Sequence, residues 1–216
     1  MAANIDRLAI VVAMQPAADW FLVDRYWAGA ALKDLDALVI VNKNDLGTGS
    51  IQPELQTYRN LSLSCLEASA TSGAGIAEVQ RLLAGRVTLL VGQSGVGKSS
   101  LVNTLAPEAA AQTAELTRDA EGRHTTTTAR WYRLGTGGII DAPGVRDFAP
   151  PASLQRAAER GFIEIHERSV QCRFNDCRHM DEPGCAVRNA VLNEEIAPRR
   201  YESYRRLFRL YQNLNA

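Results

Sequence analysis

Gly92-Gln93-Ser94-Gly95-Val96-Gly97-Lys98-Ser99 is the stretch on which the reading of this chain turns. It fits G-x-x-x-x-G-K-[ST] without a gap, and its flanks have the matching local pattern. Val87-Thr88-Leu89-Leu90-Val91 before it is a short apolar, β-branched run, which reads as a buried strand. Ser99-Ser100-Leu101-Val102-Asn103-Thr104-Leu105 after it has helical spacing. Such a loop wraps phosphates with successive backbone N–H groups at the positive end of a helix. Gly92 and Gly97 permit the turn and the close approach. Gln93, Ser94, Gly95 and Val96 line the cradle between them, and Ser100 follows it. Lys98 reaches the β- and γ-phosphates, and Ser99 supplies a hydroxyl to Mg²⁺. A glycine-rich turn that binds nothing would need neither of those two side chains.

Upstream, Leu8-Ala9-Ile10-Val11-Val12 reads as a first buried strand, and Ala17 to Lys33 as an amphipathic helix. Ala37-Leu38-Val39-Ile40-Val41 is the next buried strand, ending directly in Asn42-Lys43-Asn44-Asp45. A short helix near Pro53 to Tyr58, a strand at Leu61 to Leu66 and a helix around Ile76 to Leu83 follow. Strands alternating with helices predict an α/β fold with a mostly parallel sheet covered on both faces. Asn42-Lys43-Asn44-Asp45 fits N-K-x-D, the guanine-reading motif of GTPases. The Asp45 carboxylate can accept from N1–H and from the exocyclic amine of guanine, a pairing that adenine does not offer. Asn42 can reach the other edge of the base or tether the phosphate loop, and the Lys43 stem can pack over the ring. Rejecting the wrong base by stranding a buried carboxylate is worth several kcal/mol. Ser69-Ala70 would supply the companion loop, its Ala70 amide donating to the guanine carbonyl.

Downstream, Gly122-Arg123-His124-Thr125-Thr126-Thr127-Thr128 offers the hydroxyl that a loop sensing the γ-phosphate gives to Mg²⁺. Thr125 and Thr126 are the nucleotide-side candidates and Thr126 the magnesium candidate, although several threonines could serve. Ala129 to Leu134 reads as a strand. Ile139-Ile140 then delivers Asp141-Ala142-Pro143-Gly144, a D-x-x-G motif: Asp141 would hold Mg²⁺ through water, and the Gly144 amide would bond the γ-phosphate. Val145 occupies the place where Ras-like enzymes carry a water-orienting glutamine. His124 is the local candidate for that task. The motifs run N-K-x-D, Ser-Ala, phosphate loop, threonine, D-x-x-G. That is the Ras-like set in rotated order, a circular permutation, which is acceptable because chain termini often lie close together.

With 216 residues, 46% of them hydrophobic and 22% charged, the chain has room for one globular domain and a small appendage. No apolar run approaches the roughly 20 residues of a membrane span. The N-terminus lacks a signal-peptide pattern, and the expectation is a cytoplasmic monomer without a membrane partner. Net charge is zero, so any nucleic-acid contact must come from local patches. Of the 24 cationic residues only Lys33, Lys43 and Lys98 are lysines, and two of these fall inside the nucleotide motifs. Three of the four cysteines lie between Cys172 and Cys185. With His179 they give C-x₄-C-x-H-x₅-C, a donor set suited to one tetrahedral, structural Zn²⁺ held by Cys172, Cys177, His179 and Cys185. Cys65 reads as packing. A helix is expected over Ser153 to His166. The stretch Pro198 to Leu214 carries Tyr201, Tyr204, Phe208 and Tyr211 on one helical face and five arginines on the rest. That pattern suits either an RNA-facing stripe or a solvated face over a small core. The division expected is a GTPase domain over 1–149 and a zinc-binding, mostly helical domain over 150–216.

These features together resemble the ribosome small subunit-dependent GTPases, the RsgA or YjeQ family. The resemblance is carried by Ala3-Asn4-Ile5-Asp6, Gly92 to Ser100, Gly122 to Thr127, Asp141 to Gly144 and the Cys/His set. It implies a circularly permuted GTPase that binds GTP or GDP with Mg²⁺ and acts in late assembly of the 30S subunit, with 16S rRNA as a partner. It also implies stimulation of hydrolysis by the subunit, His124 as the water-positioning residue, and zinc at the four ligands. Family members usually carry an OB-fold before the GTPase domain, and this chain starts at the first GTPase strand, so the barrel is expected to be missing. Two other readings are a nucleotide-gated rRNA-binding module with incidental hydrolysis and a permuted GTPase of large-subunit assembly.

Overall fold

The computed structural model describes residues 4–108, 129–141 and 159–214. The chain divides into two compact units, one of residues 1–19 and 35–148, the other of residues 20–34 and 149–216.

The first unit is a six-stranded sheet. Its strands are β1 (Arg7–Ala13), β2 (Asp36–Asn42), β3 (Ser64–Glu67), β4 (Val87–Gly92), β5 (Arg130–Leu134) and β6 (Gly137–Asp141), in the order β3-β2-β1-β4-β6-β5. All neighbours are parallel except the β5–β6 hairpin. The central strands are continuous Val, Ile, Leu and Ala runs because both of their faces are buried: Leu8 to Ala13 and Leu38 to Val41 are all nearly inaccessible. Among the described residues, the helices of this unit are α2 (Gln52–Asn60), α3 (Ile76–Leu83) and α4 (Lys98–Leu105). In α3 the buried residues are Ile76, Val79 and Leu83, spaced to form one stripe, and Glu78 and Arg81 are exposed. That stripe joins Leu101, Val102 and Leu105 of α4 and Val11, Ile40 and Leu90 of the sheet in one core. Register aligns the carboxyl ends of the strands: Ala13 pairs with Asn42, Val11 with Gly92, and Leu90 with Asp141. Three of the four motifs that fall on described residues therefore end at one edge of the sheet, the usual place for a ligand in an open α/β sheet.

Two local differences from the sequence reading have plain causes. The strand expected from Leu61 begins at Ser64, because Leu61 and Ser62 close the end of α2 by donating to the carbonyls of Tyr58 and Arg59. Ser62 adopts a left-handed φ of 64° there. Within the helix expected over Ser153 to His166, residues 153–158 lie outside the described residues. The rest is a single turn, Glu159–Gly161, before the next helix starts at Ile163. Gly161 lies so close to Ala28 that a Cβ there would collide with it.

The described residues of the second unit are helical: α1 (Trp20–Ala31), α5 (Ile163–Ser169), α6 (Ala186–Leu192) and α7 (Pro198–Leu214). Its core holds Ala28, Phe162, Ile165, Val187, Ile196, Tyr204, Leu207, Phe208 and Tyr211. Phe162 and Tyr204 meet edge to face at 5.7 Å. The aromatic stripe of α7 thus packs inward. Two of its arginines do the same. Arg200 is fully buried: its Nη1 donates to Asp24 Oδ1 (2.8 Å), and its Nε and Nη2 donate to both oxygens of Glu164 (2.7 and 3.0 Å). Arg199 Nη1 donates to Asp24 Oδ2 (2.7 Å). Arg200 lies between the Trp27 and Phe162 rings, 4.7 and 4.5 Å from their centroids. These two arginines neutralise carboxylates of their own unit and do not form an outward stripe.

Candidate functional site

Asn42 organises the described part of the site. It is the last residue of β2 and only 1% exposed. Its Nδ2 donates to the carbonyls of Val96 (2.9 Å) and Gly97 (3.4 Å), and its Oδ1 accepts from the Ala70 amide (3.1 Å). One side chain therefore ties the glycine-rich loop to the Ser69–Ala70 loop. Of the two roles open to Asn42 in the sequence, tethering is the one the bonds show. The Ala70 amide, expected to face a base carbonyl, is here bonded to Asn42. The Ala70 carbonyl accepts from Thr104 Oγ1 of α4 (3.2 Å). Ser69 is buried and holds its own loop, its Oγ accepting from Ser72 N–H (3.0 Å).

Glycine is required at two loop positions. A Cβ at Gly97 (φ 88°) would strike Asn42 Nδ2, and one at Gly92 (φ 144°) would strike the Val11 carbonyl oxygen. Lys43 takes a left-handed conformation (φ 62°) that turns the chain sharply off β2. Its Nζ donates to the carbonyls of Gln15 (2.8 Å) and Gly95 (2.7 Å). Asp45 is exposed in the short turn that follows, Asn44–Leu46. Lys98, the first residue of α4, curls back so that its Nζ donates to the carbonyls of Gly92 (2.9 Å) and Gln93 (2.7 Å). Ser99 Oγ donates to Asp141 Oδ2 at 3.2 Å, which brings two of the expected magnesium ligands together across 42 residues of chain. Ser94, Gly95 and Ser100 are exposed, and Val96 is buried beneath the loop as its anchor. His124, Thr125, Thr126 and Gly144 lie outside the described residues.

The second cluster is the Cys/His set. The donor atoms of Cys172, Cys177, His179 and Cys185 all lie within 4.8 Å of one another. His179 Nδ1 is 3.5 Å from the sulfurs of Cys172 and Cys185, and those sulfurs are 3.9 Å apart. On a tetrahedron with metal–sulfur bonds of about 2.3 Å and metal–nitrogen bonds of about 2.0 Å, sulfur and nitrogen lie about 3.5 Å apart and two sulfurs about 3.8 Å. The donor set fits such an ion. Burial pushes the Cys177 thiol up to about 12 and raises Cys185 as well. The scaffold around them is well held. Tyr201 Oη donates to the His179 carbonyl (2.6 Å), Tyr204 Oη to that of Arg178 (3.1 Å), and His179 Nε2 faces Glu159 Oε1 at 3.5 Å. Burial opposes ionisation of Glu182, but the N–H groups of Arg178, Met180 and Asp181 outweigh it and lower its pKa. Cys65, in β3, is a partly buried thiol raised to about 11 by its burial and stands apart from the cluster. Glu159, Asp24, Glu164 and the Gln15–Asp19 segment escaped the sequence reading. Nothing local marks groups whose partners lie 20 residues away for Glu159, 36 for Glu164 and 175 or more for Asp24.

A mostly parallel sheet bearing a glycine-rich loop, an N-K-x-D turn, a Ser-Ala loop and a D-x-x-G aspartate at its strand ends, with the guanine motif ahead of the phosphate loop, defines a circularly permuted GTPase fold. Residues 1–150 match the RsgA GTPase family, and the chain belongs to that family. A small ribosomal subunit biogenesis GTPase RsgA of Azotobacter vinelandii is 43% identical over 213 residues, covering 96% of this chain and 62% of that protein. One from Vibrio vulnificus is 40% identical, covering 96% and 60%. Among solved structures, YjeQ from Thermotoga maritima superposes with a TM-score of 0.75 at 31% identity, covering 97% of this chain and 72% of that one. YloQ, described as a circularly permuted GTPase, gives 0.77 at 25%, covering 97% and 69%. The chain thus spans about 62% of the length of the first of these curated relatives.

Proposed function

We propose that this chain binds GTP and GDP with Mg²⁺ and hydrolyses GTP slowly on its own, in the cytoplasm, as an assembly factor of the 30S subunit that raises its turnover. The observation that carries the reading is the Asn42 side chain joined at once to the phosphate loop and to the Ser69–Ala70 loop. That bridge sets the two walls of a guanosine site at a fixed separation. In this reading Gly92 to Ser100 cradle the phosphates, and Lys98 exchanges its loop carbonyls for phosphate oxygens. Asp45 reads the base, and Lys43 and Ala70 border it. Ser99, Asp141 and Thr126 hold Mg²⁺, which offsets charge on the β- and γ-phosphates. His124 positions the attacking water, since Val145 cannot. Thr125 and the Gly144 amide serve the γ-phosphate side.

Cys172, Cys177, His179 and Cys185 hold one structural Zn²⁺, and 16S rRNA is the expected contact on the subunit. The GTPase motifs belong to residues 1–149 and the zinc ligands to residues 150–216, with α1 contributed by the first stretch to the helical unit, and the chain acts as a monomer. The inward turn of Arg199 and Arg200 takes support from a nucleic-acid stripe along α7, so hydrolysis rather than simple RNA binding is the reading retained. The test is GTP turnover of the purified chain alone, with small subunits and with large subunits. Turnover should rise with small subunits only, and Lys98→Ala should lower it at least about a hundredfold. Unchanged turnover in Lys98→Ala, or equal stimulation by large subunits, contradicts the reading.

A further inference from the structure

The Asp45 carboxylate is carried by an exposed turn, Asn44–Leu46, so its position is set by whatever holds that turn. The turn is tied on both sides to the end of β3. Ahead of Asp45, the Asn44 amide donates to the Ala68 carbonyl (3.1 Å). Behind it, Thr48 Oγ1 donates to Glu67 Oε2 (2.9 Å). Gln52 Nε2, on the first residue of α2, donates to Glu67 Oε1 (2.8 Å) and to Thr48 Oγ1 (3.0 Å), which closes a triangle of three side chains. Arg59, near the other end of α2, braces it: its Nη2 donates to Glu67 Oε1 (3.2 Å) and its Nη1 to Gln52 Oε1 (3.0 Å). The backbone of Glu67 is itself fixed. It pairs with Val41 of β2, and the Ala68 amide that follows donates to the Val41 carbonyl (2.8 Å).

Within the turn, only the Leu46 and Gly47 amides close backbone bonds, to the carbonyls of Lys43 (3.0 Å) and Asn44 (2.9 Å). A single turn of this kind is marginal in water, so ties from outside decide its shape. An ionised carboxylate suits that task, because it accepts from several donors at once. The Gln52 hydrogen bond, opposed by burial and aided by Thr48 and Arg59, holds the Glu67 carboxyl below the usual carboxylate range. Thr48 lies three residues after Asp45, a span with little slack. Freeing Thr48 therefore lets the turn open from its far end. We propose that Glu67 is a positioning residue for the base: through Thr48 it fixes where the Asp45 carboxylate stands, and so sets how strongly the exocyclic amine of a guanine-type base is selected. This rests on the nucleotide-binding reading given above, in which Asp45 reads the base. The same strand end runs on into the Ser69–Ala70 loop that Asn42 holds, so both sides of the base are referenced to β3.

Equilibrium binding of GDP, inosine diphosphate and ADP to the full chain tests this in wild type, Thr48→Val, Thr48→Ser and Glu67→Ala. Inosine diphosphate keeps the N1–H, the base carbonyl and the phosphates of GDP and lacks only the exocyclic amine. The ratio of the two affinities therefore isolates that one contact with Asp45. Wild type should favour GDP over inosine diphosphate about tenfold or more. In Thr48→Val, which removes the hydroxyl and little else, and in Glu67→Ala, the ratio should fall at least about threefold. Thr48→Ser restores the hydroxyl and should keep the wild-type ratio. A role in stability alone lowers both affinities together and leaves their ratio where it was. An unaltered ratio in Thr48→Val overturns the proposal, whatever Glu67→Ala does to folding, and so does a ratio lost in Thr48→Ser. GDP and inosine diphosphate bound alike by a wild type that still rejects ADP overturns it too, and leaves the nucleotide reading standing. A wild type that binds GDP and ADP alike removes that reading and the proposal together.

Discussion

At the scale of single residues, Asn42 decides more than its place in a four-letter motif suggests. It is buried, it donates to Val96 and Gly97, and it accepts from Ala70. Asn42→Ala strands the Val96 carbonyl and the Ala70 amide in a buried setting, and each such group costs about 1–3 kcal/mol. The expected outcome is a chain destabilised by about 2–4 kcal/mol in urea unfolding with GDP affinity lowered more than tenfold. A variant with wild-type affinity would show that the bridge is incidental. The sequence offered two roles for this side chain, and only the fold, by bringing residues 54 positions apart into contact, selects one. Lys98 and the glycines were legible because their task is local: a turn, a close approach and a helix start.

At the scale of elements, β1, β2, β4 and α3 follow directly from apolar runs and helical spacing and sit where those patterns place them, whereas β3 starts three residues later than its pattern. Helix α1 is different. Its amphipathic pattern says that it has a buried face but not which partner buries it. Its Asp24 meets Arg199 and Arg200 across 175 and 176 residues, beyond any local signal. Asp24→Asn removes a buried carboxylate that accepts from both Arg199 and Arg200. Breaking a buried ion pair by removing one partner costs about 3–5 kcal/mol, so Asp24→Asn should unfold the helical unit at lower urea than wild type, with earlier release of zinc to a colorimetric chelator. Coincident unfolding and metal-release curves in variant and wild type would mean that the knot contributes nothing. The arginines of α7 looked like a charged face in the sequence, because a helical wheel does not reveal which arginines meet buried carboxylates.

At the scale of the whole molecule, the account joins motifs at residues 42–45, 69–70, 92–99 and 141, written in permuted order along the chain and gathered at one edge of one sheet. The order of the motifs and the Cys/His spacing were enough to expect that fold and that donor set. The Glu67 tie and the buried ionic knot came only with three dimensions, since both depend on which side chains face one another. The claim that everything else presupposes is selection of guanine by Asp45, and equilibrium binding of GDP, ADP and xanthosine diphosphate to wild type and Asp45→Asn tests it most directly. The account predicts that wild type prefers GDP to ADP by about a hundredfold or more and that Asp45→Asn transfers the preference to xanthosine diphosphate. Equal affinity of wild type for GDP and ADP, or an undiminished GDP preference in Asp45→Asn, would contradict it.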